Sequence, residues 1–221
     1  MNDSSALVLG TLTSIWRYPT KSLRREPLQS VHVEKSGLAG DRRSALVLTT
    51  PDRARTGKTY RGKEDERFHL IGDAQGAKAA AFERGMEVVE TSGRRFFDDA
   101  PVSLLLDRWL HDLEGLAGRS LDPQRFRPNF FVTAAEDVPD EASLVGATVA
   151  LGDVVLRVRS TTERCVTVTY DVETGTPDPA ILRVLAQQRG AVMGVYCDVE
   201  RPGSVKRGVT VRAVLPGRVS A

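Results

Sequence analysis

The segment 163–175, ERCVTVTYDVETG, puts Cys165 directly after Arg164 and shortly after Arg157 and Arg159, and Cys165 is one of only two cysteines in the 221-residue chain. Cations beside a thiol favour the thiolate, the form that ligates metals and attacks sulfur. The bland alternative is burial, since a lone cysteine usually behaves as a small apolar side chain. Cys197, in the alternating run GVYCDV, takes that second reading. The three histidines, His32, His69 and His111, are scattered and offer no zinc-ligand spacing. A Cys-His hydrolase would need a base within hydrogen-bond reach of the thiol, and the sequence places no histidine there.

The basic residues carry the second chemical signal. They come in small groups at Arg24–Arg25, Arg42–Arg43, 53–63, Arg94–Arg95 and Arg125–Arg127, between strand-like runs. Any one group reads as solvated surface balanced by the 29 acidic residues. Several groups converging in space would instead make an anion site, because guanidinium forks match phosphate oxygens in pairs. The net charge of +2 is too small to argue for nucleic acid as a partner. Glycine-rich phosphate fingerprints are absent, and no apolar run approaches the roughly 18 residues of a membrane span. The N-terminal stretch lacks the basic start and cleavage site of a signal peptide, so the expectation is a cytoplasmic chain with reduced thiols and no membrane partner.

Positioning such residues falls mainly to strands. Short Val/Ile/Leu/Thr-rich runs bounded by Gly, Pro and Asp predict strands near 6–17, 28–34, 44–49, 86–91, 102–106, 128–133, 147–159, 166–169, 193–199 and 208–214. Alternation in GVTVRAV and VVLRVRS fits half-buried strands of a closed or strongly bent sheet. Three helices are predicted: 73–84, one following Asp107, and one capped by Asp178, opened by Pro179 and stopped by Gly190. The polar stretch 51–67, PDRARTGKTYRGKEDER, reads as a mobile loop, more an excursion than a lid. The expected class is α+β, mostly β, with the helices outside.

Several segments together, in this order, resemble one family: RYPTKSL (17–23), GLAGDR (37–42), FFDDAPVSLL (96–105), RFRPNF (125–130), ERCVTVTYDVETG, GVYCDV (194–199) and PGSVKRGVTV (202–211). They resemble MOSC-domain proteins, named after the C-terminal domain of molybdenum cofactor sulfurase, and within them the stand-alone bacterial members and the mitochondrial amidoxime-reducing component. The resemblance implies a MOSC-type β-barrel with peripheral helices. It would form a single unit over 1–221, with N-terminal barrel strands and the YPxKS and GxxGDR motifs in 6–72 and the cysteine-bearing core in 73–221.

It also implies a molybdenum cofactor, a Mo-pyranopterin, with Cys165 as metal ligand and catalytic thiol. Lys21, Ser22, Arg42, Arg127, Asn129, Thr169 and Asp171 match positions that hold the pterin and its phosphate. The segment RCVTVTYD departs from the usual R-C-x-x-T-T-x-D, with Thr167 one place early and Val168 in the first threonine's place. On a strand that shift would turn a hydroxyl to the opposite face. Glu163 stands where the reductase relatives often carry serine, and Arg55 or Lys58 is a candidate extra contact. The implied activity is reduction of N-hydroxylated or N-oxide small-molecule substrates, with a separate protein as electron donor. The alternatives are a sulfur carrier or sulfurtransferase using a Cys165 persulfide supplied by a sulfur-donor protein, and a non-catalytic cofactor-binding module.

Overall fold

The computed structural model describes residues 6–217. The first part of the chain forms β1 (Leu7–Arg17), β2 (Glu26–Leu28), β3 (Ser30–Glu34), β4 (Gly37–Leu38), β5 (Ala45–Leu48), α1 (Ala74–Glu83), β6 (Val88–Thr91) and β7 (Val102–Leu106). Then follow α2 (Asp107–Ala117), β8 (Phe130–Ala134), β9 (Thr148–Leu151), β10 (Val154–Glu163), α3 (Pro179–Arg189), β11 (Val192–Arg201), β12 (Gly203–Lys206) and β13 (Thr210–Val214).

Seven strands close a mixed barrel in the order β13-β9-β10-β11-β7-β8-β1, with β1 pairing back onto β13 and β2 hanging on the far end of β1. Closure leaves the barrel no unpaired edge. All its pairings are antiparallel except β7 with β8, which α2 connects. β1 serves two neighbours by bending, with register shifts at Val8/Gly10 and Leu12/Ser14. Gly10 makes the first bend possible: at φ +142° a Cβ would lie 2.0 Å from the Thr133 carbonyl oxygen.

The barrel interior and the faces of α2 and α3 form one apolar core, from Leu9 and Leu12 through Leu104, Phe130 and Leu156 to Val195 and Cys197. A second, smaller core gathers Leu23, Leu46, Tyr60, Phe68 and the alanine face of α1 against the two-stranded β5–β6 sheet. Strands of the first 72 residues pair outside that segment: β5 with β6 and β3 with β12, as well as β1 with β8 and β13.

The helices start and stop where the sequence predicts. Asp73 accepts from the Gly76 amide at 2.8 Å, Asp178 accepts from Ala180 at 3.2 Å, and Gly190 ends α3 in the left-handed region. Three expectations need correction. Residues 166–169 are a 3-10 turn and not a strand, because the chain leaves the barrel at Glu163 and the Thr169 hydroxyl bonds back to the Val166 carbonyl at 2.7 Å. The run 147–159 is two strands joined across Gly152, the second reaching Glu163. The stretch 51–67 is no free excursion: Thr59 bridges to Val47, and the Tyr60 ring packs edge-on to Phe68 with centroids 5.1 Å apart.

Candidate functional site

A cavity of about 310 Å³ lies against the outer face of β7 and β11, between the end of β1 and the chain leaving β10. Its first wall begins where β1 runs out. The Tyr18 amide donates to the Asp41 carboxylate at 2.7 Å and its hydroxyl to the Pro128 carbonyl at 3.2 Å, so the ring is fixed at both ends. Burial pushes the Tyr18 phenol up to about 12, and it stays neutral. Two guanidinium groups lie over the ring, Arg127 at 4.2 Å and Arg42 at 4.8 Å from its centroid. Asp41 pairs with Arg42, and Lys21 pairs with Asp98 at the same wall. Burial would raise the Asp98 carboxyl, but Lys21, Arg42 and Arg127 hold it below the usual carboxylate range.

Backbone strain marks the same place. Five non-glycine residues among those described have positive φ, and three of them, Ser22 (+73°), Arg42 (+45°) and Arg127 (+48°), line this one cavity. Such conformations cost energy and persist only where surrounding contacts hold them, as the Arg42 amide is held by the Tyr18 carbonyl at 2.7 Å.

The second wall is the chain leaving β10. Arg164 reaches back into the protein, its Nε donating to the Met193 carbonyl and its Nη1 to the Phe126 carbonyl, both at 2.8 Å. Gly194 gives it room: at φ +85° a Cβ there would sit 2.8 Å from the Leu104 oxygen and 3.3 Å from Arg164 Nη2. Burial pulls both Arg164 and Arg127 down to about 10, so each is still charged at neutral pH. Neither makes an ion pair with a carboxylate among the described residues; carbonyls and the faces of Tyr18 and Phe126 hold them. Next along the chain, Cys165 turns its thiol to the cavity, with Sγ 3.2 Å from Thr167 Oγ1. Both cysteines are free thiols.

The whole cavity is lined by eight basic side chains, Lys21, Arg25, Arg42, Arg61, Lys63, Arg125, Arg127 and Arg164, against two carboxylates, Asp98 and Glu163. His69 also faces it, its Nε2 donating to the Asp171 carbonyl at 2.7 Å and its ring stacked on Tyr170. An anion-binding chamber with one accessible thiol is the chemistry this arrangement serves.

Comparison with known proteins supplies the family. A family model described as MOSC domain matches residues 91–212, more than half of the chain. The chain belongs to the MOSC domain family. In fold it is similar to the YUAD protein of Bacillus subtilis, at 16% identity over 94% of this chain and 96% of that one, with a TM-score of 0.58. Weaker likenesses are to YiiM of Geobacillus stearothermophilus (12% identity, 96% and 76% covered, TM-score 0.44) and YiiM of Escherichia coli (15%, 93% and 72%, 0.44). No curated protein sequence matches the chain.

Of the residues the MOSC resemblance singles out, Lys21, Ser22, Arg42, Arg127 and Cys165 line the one cavity, though they stand up to 144 positions apart in the sequence. Asn129, Thr169 and Asp171 stand behind it. Asn129 is buried, its Oδ1 accepting from the Ser103 amide and hydroxyl at 3.1 Å each and its Nδ2 donating to the Trp16 carbonyl at 3.2 Å. Thr169 is buried, and its carbonyl accepts from Arg125 at 3.1 Å. Asp171 caps its own turn and pairs with Arg125 at 2.8 Å. These three place the Arg42 and Arg125 side chains and do not reach the cavity.

The one-residue threonine shift changes its meaning in the 3-10 turn. Thr167 contacts the thiol and Val168 fills the core. Arg157 and Arg159 do not surround Cys165; they pair with Glu200 and Asp198 on the outer face of β10. Within 51–67 it is Arg61 and Lys63 that face the cavity, while Arg55 is tied to Glu64 and the Thr59 carbonyl. Sequence reasoning also missed Tyr18, Arg25, His69, Arg125 and Arg164 as cavity residues. For Arg125 and Arg164 a signal existed in their adjacency to Arg127 and Cys165; for His69 there was none.

The residues present fit the family's cofactor. Among the described residues no group of three or more His, Cys, Asp or Glu side chains could hold a metal by itself, so a metal at Cys165 must arrive with donors of its own, as a dithiolene-bound one does. Two half-buried cations without carboxylate partners suit a phosphate.

Proposed function

We propose that this MOSC protein binds a molybdenum–pyranopterin cofactor in the Cys165 cavity and there reduces N-hydroxylated or N-oxide small molecules. The observation that carries the reading is the convergence of an exposed thiol with two half-buried, carboxylate-free guanidinium groups, Arg127 and Arg164. A half-buried cation without a carboxylate partner is costly, and an anionic ligand offsets that cost. Cys165 would ligate the metal, Lys21, Arg42, Arg127 and Arg164 would hold the anionic tail, and Ser22 would face the heterocycle. When bound, the group supplies two-electron chemistry: the substrate N–O bond breaks and its oxygen leaves as water with two protons, the electrons coming from a separate flavin or iron–sulfur protein. The chain's part is to anchor, to hold the substrate against the thiol-bearing wall and to exclude bulk water.

The test is metal and pterin content of protein from cells with intact cofactor synthesis. Near-stoichiometric molybdenum in the wild type, lost in Cys165→Ala, is the expected result. Trace metal in both, with cofactor in excess, sinks the reading.

A second reading draws on the exposure of the Cys165 thiol. The thiolate attacks the outer sulfur of a donor protein's persulfide; a new S–S bond forms at Cys165 while the donor's breaks and its thiolate leaves. Sulfur transfer abolished in Cys165→Ser and kept in Cys197→Ser supports it, and the reverse pattern rejects it.

A further inference from the structure

The inserted stretch 51–67 is the part of the cavity wall that the cofactor-holding motifs do not account for. Its tripeptide Arg61-Gly62-Lys63 lines the cavity, and Gly62 is buried there. A Cβ on Gly62 would meet Thr167 Cγ2 at 3.6 Å and Ser22 Cβ at 3.8 Å, and Thr167 itself contacts the Cys165 thiol. The backbone of this loop therefore lies one residue away from the reactive sulfur, with a basic side chain on each side.

The loop is also held firmly enough to discriminate. Tyr60 is buried in the smaller core just before it, and the Arg61 amide and guanidinium both bind Glu64, at 2.8 and 3.0 Å. Glu64 is shared, because Arg55 pairs with the same carboxylate at 3.2 Å. One carboxylate against two guanidinium groups leaves a net positive charge. Lys63 is exposed and makes no ion pair among the described residues, so the rim carries a second positive charge. Glu163, across the cavity, is the one carboxylate there without an ion pair, and it opposes this charge only in part. The anionic tail of a cofactor has its own cations at the Tyr18 wall, where Arg42 and Arg127 lie over the ring. Cations on the Thr167 side of the thiol are left for the molecule that enters and leaves.

We propose that Arg61 and Lys63 select a substrate bearing an anionic group, a carboxylate or a phosphate monoester, beside its N-oxygenated centre. This rests on the reading of the Cys165 cavity as a reductase site.

The test uses three matched probes: benzamidoxime, its para-carboxylate and its para-phosphonate. Dissociation constants are measured by calorimetry on the purified protein as it comes from cofactor-competent cells, with molybdenum content recorded for every sample. Either anionic probe should bind about tenfold tighter than the neutral one, as two partly screened charge contacts allow, and which anion wins identifies the group. The preference should shrink with added salt and fall to within about twofold in the double variant Arg61→Gln/Lys63→Gln. Lys63→Glu, a change at an exposed position that also brings the rim to zero net charge, should likewise bring the preference to within about twofold, which guards against a folding defect in the double variant.

Equal affinity for all three probes in a molybdenum-loaded wild type overturns the selectivity and leaves the reductase reading standing. A double variant that loses molybdenum also overturns it, since the two cations then hold cofactor. A wild type without molybdenum that still prefers the anionic probes, with the preference lost in the double variant, rejects the reductase reading and retains the anion rim.

Discussion

The interior of the barrel and the cavity beside it are built from the same strands and obey opposite rules. Inside, β10 and β11 present Leu156, Val158, Val195 and Cys197, all within 1% of full burial and in contact with other apolar side chains. At the mouth, the continuation of β10 presents Glu163, Arg164 and Cys165 to a cavity lined by eight basic side chains. Burial at Cys197 pushes its thiol well above the ordinary range, with Asp198 adding to the effect, so that sulfur stays a neutral packing group. Three of the five positive-φ non-glycine residues described sit at the mouth and none lies in a barrel strand. The interior is packed for stability, and the mouth holds strained backbone and guanidinium groups without carboxylate partners.

The comparison predicts that stability and ligand binding separate by region. Leu156→Ala should cost about 2–5 kcal/mol in denaturant unfolding, the range for a fully buried leucine. Arg127→Met should instead change stability by less than about 1.5 kcal/mol, because lost contacts with the Leu23 carbonyl and the Tyr18 ring are offset by relief of a half-buried charge without a carboxylate partner. Its binding of inorganic phosphate, followed by calorimetry, should weaken by about tenfold or more. Stability loss at Arg127 equal to that at Leu156 would break the distinction.

The two cysteines sharpen it with a smaller effect. Cys197→Ser puts a hydroxyl at a position with no exposure and should cost about 1–3 kcal/mol. Cys165→Ser, at an exposed site, should stay within about 0.5 kcal/mol by the same measurement.

The smallest effect is the pH response of the mouth. Burial, with Arg127 and Arg125 nearby, holds His69 below its ordinary value of 6.5, against the bond it donates to the Asp171 carbonyl. The folded chain therefore binds fewer protons there than the unfolded chain. Its contribution to stability is complete above about pH 6.5 and is lost as pH falls through the lower folded-state value. Thermal unfolding of His69→Gln across that window should show a flatter slope than the wild type; an unchanged slope would place the acid sensitivity elsewhere.

Local signals were legible because their causes are local. Asp178, Pro179 and Gly190 bound α3 through contacts within a few residues, and alternation in 154–159 reports one buried and one exposed face of β10. The cysteine motif and the basic groups, read through family resemblance, named five residues that do line one cavity. The same reading mistook 166–169 for a strand, since a Val/Thr run has strand propensity and only the chain's exit from the barrel turns it into a 3-10 turn. It could not show that Asn129 and Asp171 stand behind the cavity lining, Asn129 bonded to Ser103, Trp16 and Arg42 and Asp171 to Arg125 and its own turn.

By itself, then, the sequence determined the elements, the family and the thiol at issue, because caps, periodicity and motif spacing are properties of short stretches. Only the tertiary structure decided which cations share a cavity and which are spent on surface ion pairs. Arg157 and Arg164 lie seven positions apart on one segment, yet one pairs with Glu200 outside and the other is half-buried beside the Cys165 cavity without a carboxylate. The fate of a charge is set by what long-range folding puts within a few ångströms of it, and no local pattern encodes that distance.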